Sequence, residues 1–252
     1  MRNDLVLTDI ADGIATLTLN RPDKGNALSA AMMDALEDRI GEAGVDENVR
    51  VVVLAASGRI FCAGHDLEEM LEHDDHVWQQ AHFERCSRLM LSIRQSPKPF
   101  IARVQGAAVA AGCQLVATCD LAYAVETAKF GINGINLGLF CSTPSVALSR
   151  AIHPKQALDL ALTGRLILAP KAEEIGLINA ALPVEQLDAA VMEAARAIGA
   201  KLPEATSLGK SLFYRQAEMG VGDAYAAAAA AMADNMDIAE TRAKIATFVR
   251  KQ

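Results

Sequence analysis

The feature that most constrains the fold is a recurrence. VRVVVLAA (49–56) is an apolar run rich in β-branched residues with Arg50 its one polar member, the composition of a strand buried on both faces. It leads into FCAGHDLEEM (61–70), where a strand end meets a glycine and then an acidic helix start. FIARVQ (100–105), GAAVAAG (106–112) and CQLVAT repeat the order of strand, small-residue turn and helix start, and CDLAYAV (119–125) is a further strand. Alternation of this kind predicts an α/β class. Upstream, LVLTDI and IATLTLN flank Asp12-Gly13, a hairpin signal that puts Ala15, Leu17 and Leu19 on one face. Asn20-Arg21-Pro22 ends that strand, and Ser29 is placed to cap a helix carrying Met33, Leu36, Ile40 and Ala43 at helical spacing.

After Pro183 the strand signals stop. VEQLDAAVMEAARAIGAKL, TSLGKSLFYRQAEM and DAYAAAAAAMADNM read as helices, and the alanine run at 226–231 is high-propensity helix. The reading divides the chain into a core of residues 1–195 and a helical region of residues 196–252. In the latter, Leu202, Leu208, Leu212, Phe213 and Met219 need a partner surface. The chain is 52% apolar over 252 residues, enough for a sizeable core. A net charge of −7 argues against nucleic acid or an anionic membrane as partner. No apolar run reaches membrane-spanning length, and MRNDLVLTDI has no signal-peptide core. The five cysteines have no pairing pattern, so a reducing, cytoplasmic location is expected.

Two glycine turns carry the chemistry. Asp66 fits a helix N-cap, and Glu69 three residues later completes a capping-box pattern. The His65 N–H then lies at the helix entrance, and Gly64 allows close approach of a ligand. Val109-Ala110-Ala111-Gly112-Cys113 offers a second exposed N–H with little side chain around it. Two such donors aimed at one point make an oxyanion hole. The backbone of His65 therefore matters first and its imidazole second.

LNRPDKGNALS, GRIFCAGHDLEEM, VQGAAVAAGCQLVATCDLAYA and KIATFVRK, in this order across nearly the whole chain, resemble the enoyl-CoA hydratase/isomerase (crotonase) family. NLGLFCSTPSVALSR is similar to its enoyl-CoA-hydratase-domain-containing subgroup. The resemblance implies a spiral of repeated ββα units, a C-terminal helical trimerisation region, and homotrimers or dimers of trimers. It implies a coenzyme A thioester as substrate and no prosthetic group, with the thioester oxygen held by the backbone N–H groups of His65 and Ala111. It further implies that the segment Lys24, Gly25, Asn26, Ala27 and the residues Ala63, Asp66 and Leu67 line the CoA site. By the same resemblance, Phe248 and Lys251 reach CoA from a neighbouring subunit.

The sequence departs from a hydratase of this family at both glutamates. The first position holds Gln114, and the second, in Phe130-Gly131-Ile132-Asn133-Gly134, holds Gly134. Neither residue carries a proton, so hydration is expected to be poor. Gly134 is expected to leave a gap that Asn133, Asn136 or Ser142 enters. Ala-Gly-His-Asp also occurs in the family's methylmalonyl-CoA decarboxylases, whose reaction forms an enolate without a protein base. A third possibility is a catalytically silent acyl-CoA-binding subunit.

Other residues read more plainly. His73, His76 and His82 with Asp74 and Asp75 match no structural zinc spacing and read as a solvated loop and helix start; no metal site is expected. Cys141 reads as a buried small hydrophobe, and Ser142 or Thr143 as a helix cap before Pro144. Gly106 to Gly112 lacks the full nucleotide-binding glycine fingerprint.

Overall fold

The computed structural model describes residues 4–250. A six-stranded sheet has the order β1-β2-β3-β5-β7-β10 and a four-stranded sheet the order β4-β6-β8-β9. The larger sheet contains β1 (Val6–Ala11), β2 (Ile14–Leu19), β3 (Val51–Ala56), β5 (Phe100–Val104), β7 (Leu121–Val125) and β10 (Ala180–Leu182). The smaller contains β4 (Ile60–Cys62), β6 (Ala107–Val109), β8 (Lys129–Gly131) and β9 (Ile167–Leu168). Eleven α-helices accompany them among the described residues: α1 (Ala30–Val45), α2 (Leu67–Leu71), α3 (His76–Gln95), α4 (Ala111–Thr118), α5 (Ser142–Ala151), α6 (Pro154–Thr163), α7 (Ala169–Glu174), α8 (Val184–Gly199), α9 (Pro203–Gln216), α10 (Val221–Asp237) and α11 (Ala239–Val249).

Topology makes the repeat visible. Each unit places its first strand in the large sheet and its second in the small one, then turns into a helix. Thus β3, β5 and β7 pair in parallel, and β4, β6 and β8 do the same. The chain therefore advances by one strand in each sheet per unit, which is the ββα spiral. All six residues of β3 are buried, as its continuous apolar run requires. The hairpin forms around Asp12 and Gly13, both at positive φ, with Ala11 opposite Ile14. Ser29 caps α1 by accepting from Met32 N–H, and Met33, Leu36, Ile40 and Ala43 are buried.

Two local expectations change. The stretch 106–112 contains β6 as well as a turn, and α4 starts already at Ala111. Ser142 lies inside α5, whose N-cap is Cys141. Ser142 and Thr143 are therefore not the cap.

Helix α8 crosses residue 195 and buries Leu187, Val191 and Ala195 in the core. Beyond it, α9, α10 and α11 bury only Ala231. One polar cluster ties α9 to the core. Lys210 Nζ lies 2.8 Å from Asp120 Oδ2 and donates to the carbonyls of Ile93 and Lys98 at 2.9 Å each. Tyr214 donates to Asp120 Oδ1 at 2.7 Å, and Phe100 N–H donates to Oδ2 at 2.7 Å. Burial lowers the Lys210 pKa against the pull of Asp120, and burial followed by the Asp120 charge raises that of Tyr214. Removing one partner of such a pair strands the other. Lys210→Met is expected to lose about 3 kcal/mol or more of stability. Urea unfolding at fixed protein concentration checks this, and a loss below about 1 kcal/mol, the range of an exposed ion pair, contradicts it.

Candidate active site

Two loops run side by side at the start of the site. Leu28 N–H donates to Gly64 O at 2.8 Å, Asp66 N–H donates to Leu28 O at 3.3 Å, and Leu28 and His65 form a parallel bridge. In such a bridge the flanking residues make the bonds, so the N–H of His65 itself points away from Leu28. Asn26, fully buried, fixes the same loop by donating to the carbonyls of Ser57 at 2.9 Å and Ile60 at 2.8 Å and accepting from Arg21 N–H at 2.9 Å.

Gly64 faces the second turn. Its φ is +99°, and a Cβ there would lie 2.8 Å from Ala110 Cβ, 3.3 Å from Val109 O and 3.4 Å from Ala111 N. Only glycine fits both that conformation and that approach. Ala110 itself holds a positive φ of 50° while its N–H donates to Gly131 O at 2.8 Å. Ala111 then opens α4, so its N–H is one of the unpaired donors of a helix start. Among the described residues, neither the His65 nor the Ala111 N–H donates a hydrogen bond. Two unpaired donors thus sit on turns whose approach leaves no room for a side chain at Gly64.

Helix α2 is pinned to this arrangement from three sides. Asp66 caps it by accepting from Glu68 and Glu69 N–H and is 2.7 Å from Arg21 Nη1. Burial opposes the Asp66 charge, but Arg21 and the two N–H groups outweigh it and hold the carboxyl below its usual value. Glu69 does not close a capping box: its carboxylate accepts from Ala30 N–H at 2.8 Å, tying α2 to the start of α1. Lys24 is 2.6 Å from Glu68, so its ammonium is less free than the sequence suggests. Gly25 is in left-handed conformation, Ala27 is buried, and Ala63 and Leu67 are exposed. These residues come together around the two loops. Phe248 is 64% exposed on α11, and Lys251 lies outside the described residues.

The positions of the absent glutamates differ from each other. Gln114 is buried on α4 with Cys86 Sγ 3.9 Å from its Oε1, and it lines a cleft of about 900 Å³ between α3, α4, α5 and α9. Gly134 leaves no gap. A Cβ there would lie 2.5 Å from Leu139 O and 2.8 Å from Cys141 Sγ. Asn136 donates instead to Gly164 O at 3.1 Å, and Ser142 is exposed. Cys141 is buried, its sulfur 3.2 Å from the Gly134 N–H, and burial raises its pKa.

Sequence reasoning missed the histidine pair. His82, taken for part of a solvated segment, is fully buried, and its Nε2 is 3.1 Å from His65 Nδ1. His82 stacks on Trp78 at 4.7 Å between centroids, and Trp78 stacks on His73 at 4.0 Å. Burial, then the His82 ring, lower the His65 pKa to about 4; the Leu28 carbonyl pulls the other way without meeting hydrogen-bond geometry. Burial lowers the His82 pKa as well. His65 Nε2 and His82 Nδ1 are buried without a partner, a state that costs about 1–3 kcal/mol each. The signal available in the sequence was spacing: His82, Cys86, Leu89 and Ile93 form one helical face. No group of three metal-binding side chains is assembled among the described residues.

Comparison with known proteins follows the same lines. The enoyl-CoA hydratase/isomerase family profile matches residues 9–252. Mouse enoyl-CoA hydratase domain-containing protein 3, mitochondrial, is 40% identical over 248 residues, covering 98% of this chain and 83% of its own. Its human counterpart is 40% identical, covering 96% of this chain and 80% of its own. The crystal structure of that human protein superposes with a TM-score of 0.95 at 39% identity over 98% of both chains. An enoyl-CoA hydratase from Mycobacterium smegmatis superposes with a TM-score of 0.96 at 47% identity, over 98% of this chain and 97% of its own. The mitochondrial names of the mammalian relatives overturn the cytoplasmic expectation. The five cysteines are free and buried, which does not choose a compartment. By profile, sequence and fold, the chain belongs to the enoyl-CoA hydratase/isomerase (crotonase) family.

Proposed function

We propose that the protein binds acyl-CoA thioesters and stabilises a thioester enolate between the N–H groups of His65 and Ala111, with hydration only a slow activity. The observation that supports this reading is the close approach of the two turns at Gly64, each of which carries an unpaired N–H. An enolate oxygen is a high-energy anion, and donors fixed before it forms stabilise it without reorganising. On this reading Lys24, Gly25, Ala27, Ala63, Asp66 and Leu67 contact CoA, with Phe248 and Lys251 arriving from a neighbouring copy. The α2 and α4 N-termini supply positive potential where Lys24 is partly neutralised by Glu68.

A second reading shares the hole. Decarboxylation leaves the same enolate after the substrate's own carboxylate departs as carbon dioxide, and it needs no protein base. The absence of a carboxylate at Gln114 and Gly134 favours it. Turnover of methylmalonyl-CoA, set beside crotonyl-CoA, separates the two. Binding of both without turnover marks a silent acyl-CoA-binding subunit.

Gly64→Ala pushes the turns apart and is expected to lower turnover of any CoA thioester by ~10²–10³, the loss of one donor. Calorimetry on the same variant is expected to find CoA affinity largely kept. An unchanged turnover contradicts the reading.

Crotonyl-CoA hydration, followed by loss of enoyl absorbance, is expected to run at least ~10³ below a two-glutamate hydratase. Gln114→Glu is expected to raise it. Adding Gly134→Glu is expected to bring no further gain, because its Cβ meets the Leu139 carbonyl at 2.5 Å. Wild-type turnover at ordinary hydratase rates contradicts this.

The assembly proposed is a homotrimer or dimer of trimers. Phe213, Tyr225, Met232 and Phe248 are exposed on helices that bury almost nothing within one chain. Sedimentation is expected to show three or six copies at micromolar concentration; a stable monomer contradicts it.

A further inference from the structure

We propose that the cleft between α3, α4, α5 and α9 binds an aliphatic chain that ends in a carboxylate, and that the Arg94 guanidinium takes that carboxylate.

At about 900 Å³ the cleft has the size of a small-molecule site, and Met90, Val146 and Phe213 give it apolar walls. Two of its walls, α3 and α4, lie side by side. Cys86 Sγ is 3.9 Å from Gln114 Oε1, and one turn further along both helices Met90 Sδ is 3.5 Å from Thr118 Oγ1. Gln114, Thr118 and Arg94 all line the cleft. Arg94 follows Cys86 by just over two turns of α3, roughly 12 Å at the helical rise. A chain laid from Gln114 along the two helices therefore ends at Arg94. Between them it meets no free polar group of Thr118, whose hydroxyl donates to Gln114 O at 2.7 Å.

Arg94 is half-buried, and its guanidinium carbon is 4.2 Å from the centre of the Tyr214 ring. That ring and the place of Arg94 in the last turn of α3 both suit its charge. Neither uses its hydrogen-bond donors. Among the described residues the guanidinium makes no hydrogen bond and no ion pair. Its planar fork matches a carboxylate through two parallel N–H···O bonds.

The remaining charges of the cleft favour a single negative charge at that point. Asp120 is spent, because Lys210, Tyr214 and the Phe100 N–H hold both its oxygens. Arg150 on α5 and Glu218 just past α9 are exposed and offset one another. The charge of Arg94 is left over, which suits a carboxylate better than a doubly charged phosphate.

Two molecules carry this chemistry. One is a free medium-chain fatty acid. The other is an acyl-CoA whose acyl chain has a carboxylate at its far end. The second rests on the acyl-CoA reading above: Gln114 is one turn beyond Ala111, so a chain that leaves the thioester and follows α4 enters the cleft there. The first does not depend on that reading.

Calorimetry on the full chain compares two pairs of probes: decanoate with 1-decanol, and sebacoyl-CoA with decanoyl-CoA. In one pair the carboxylate member is expected to bind ~10–10²-fold tighter, the worth of hydrogen bonds to a charged group. A preference in the first pair marks the free acid, and in the second the acyl-CoA. Arg94→Gln is expected to abolish the preference while the neutral probe of that pair binds as before. Arg94→Met, which keeps the packing on Tyr214, serves the same purpose if that variant does not fold. Equal affinities within both pairs overturn the proposal, as does a preference that survives in the variants at full size. Fewer copies by sedimentation in Arg94→Gln, with no preference in wild type, also overturn it, since a neighbouring copy's carboxylate then fills the place. Failure of both CoA probes to bind removes the functional reading alone, and decanoate against 1-decanol still decides the cleft.

Discussion

The structure turns on the contact between two loops at Gly64. A side chain there would strike Ala110, and the left-handed φ of +99° would strain it further. With glycine in place, the loop after β4 and the loop after β6 come closer than any side chain at Gly64 would allow. One of these loops carries the N–H left over from the Leu28–His65 bridge, and the other the N–H left over at the start of α4. The repeat delivers this geometry. β4 and β6 are parallel neighbours in the small sheet, so the turns that follow them emerge at the same end.

Much of what surrounds the contact serves to hold it still. Asn26 ties the segment before α1 to the end of β3 and to β4, Arg21 and Asp66 fix the start of α2, and Glu69 reaches across to α1. At the far side, Lys210 and Tyr214 anchor α9 to Asp120. The helices after it present apolar faces with little beneath them. The single chain is therefore well packed around the two donors and poorly packed at its C-terminal surface, which is where a second copy would complete it.

Most of the large sheet was legible in the sequence, because β3 is a continuous apolar run, β5 and β7 are largely apolar, and β1 and β2 flank the Asp12-Gly13 turn signal. The short strands β4, β6 and β8 were harder, since three residues cannot display an alternation. GAAVAAG consequently read as a turn although Ala107–Val109 is a strand. The two turns were legible because small residues mark them locally, Gly64 before His65 and Gly112 after Ala111, with Asp66 as cap at the first. The His65–His82 contact was not, because it joins positions 17 residues apart and depends on how α3 lies over the loop. Gly134 shows the opposite failure. The sequence suggested vacant space, but the chain fills it with the Leu139 carbonyl and Cys141. Backbone that folds back on itself leaves no trace in residue type.

The central claim is that two backbone donors polarise a thioester carbonyl. Isotope-edited vibrational spectroscopy of a bound, carbonyl-labelled acyl-CoA measures this directly. Hydrogen bonding from both donors weakens the C=O bond, so its stretch is expected at lower frequency when bound than in water, and the shift is expected to shrink in Gly64→Ala. A bound thioester whose carbonyl stretch matches that of the free ligand in water, in wild type and variant alike, contradicts the claim.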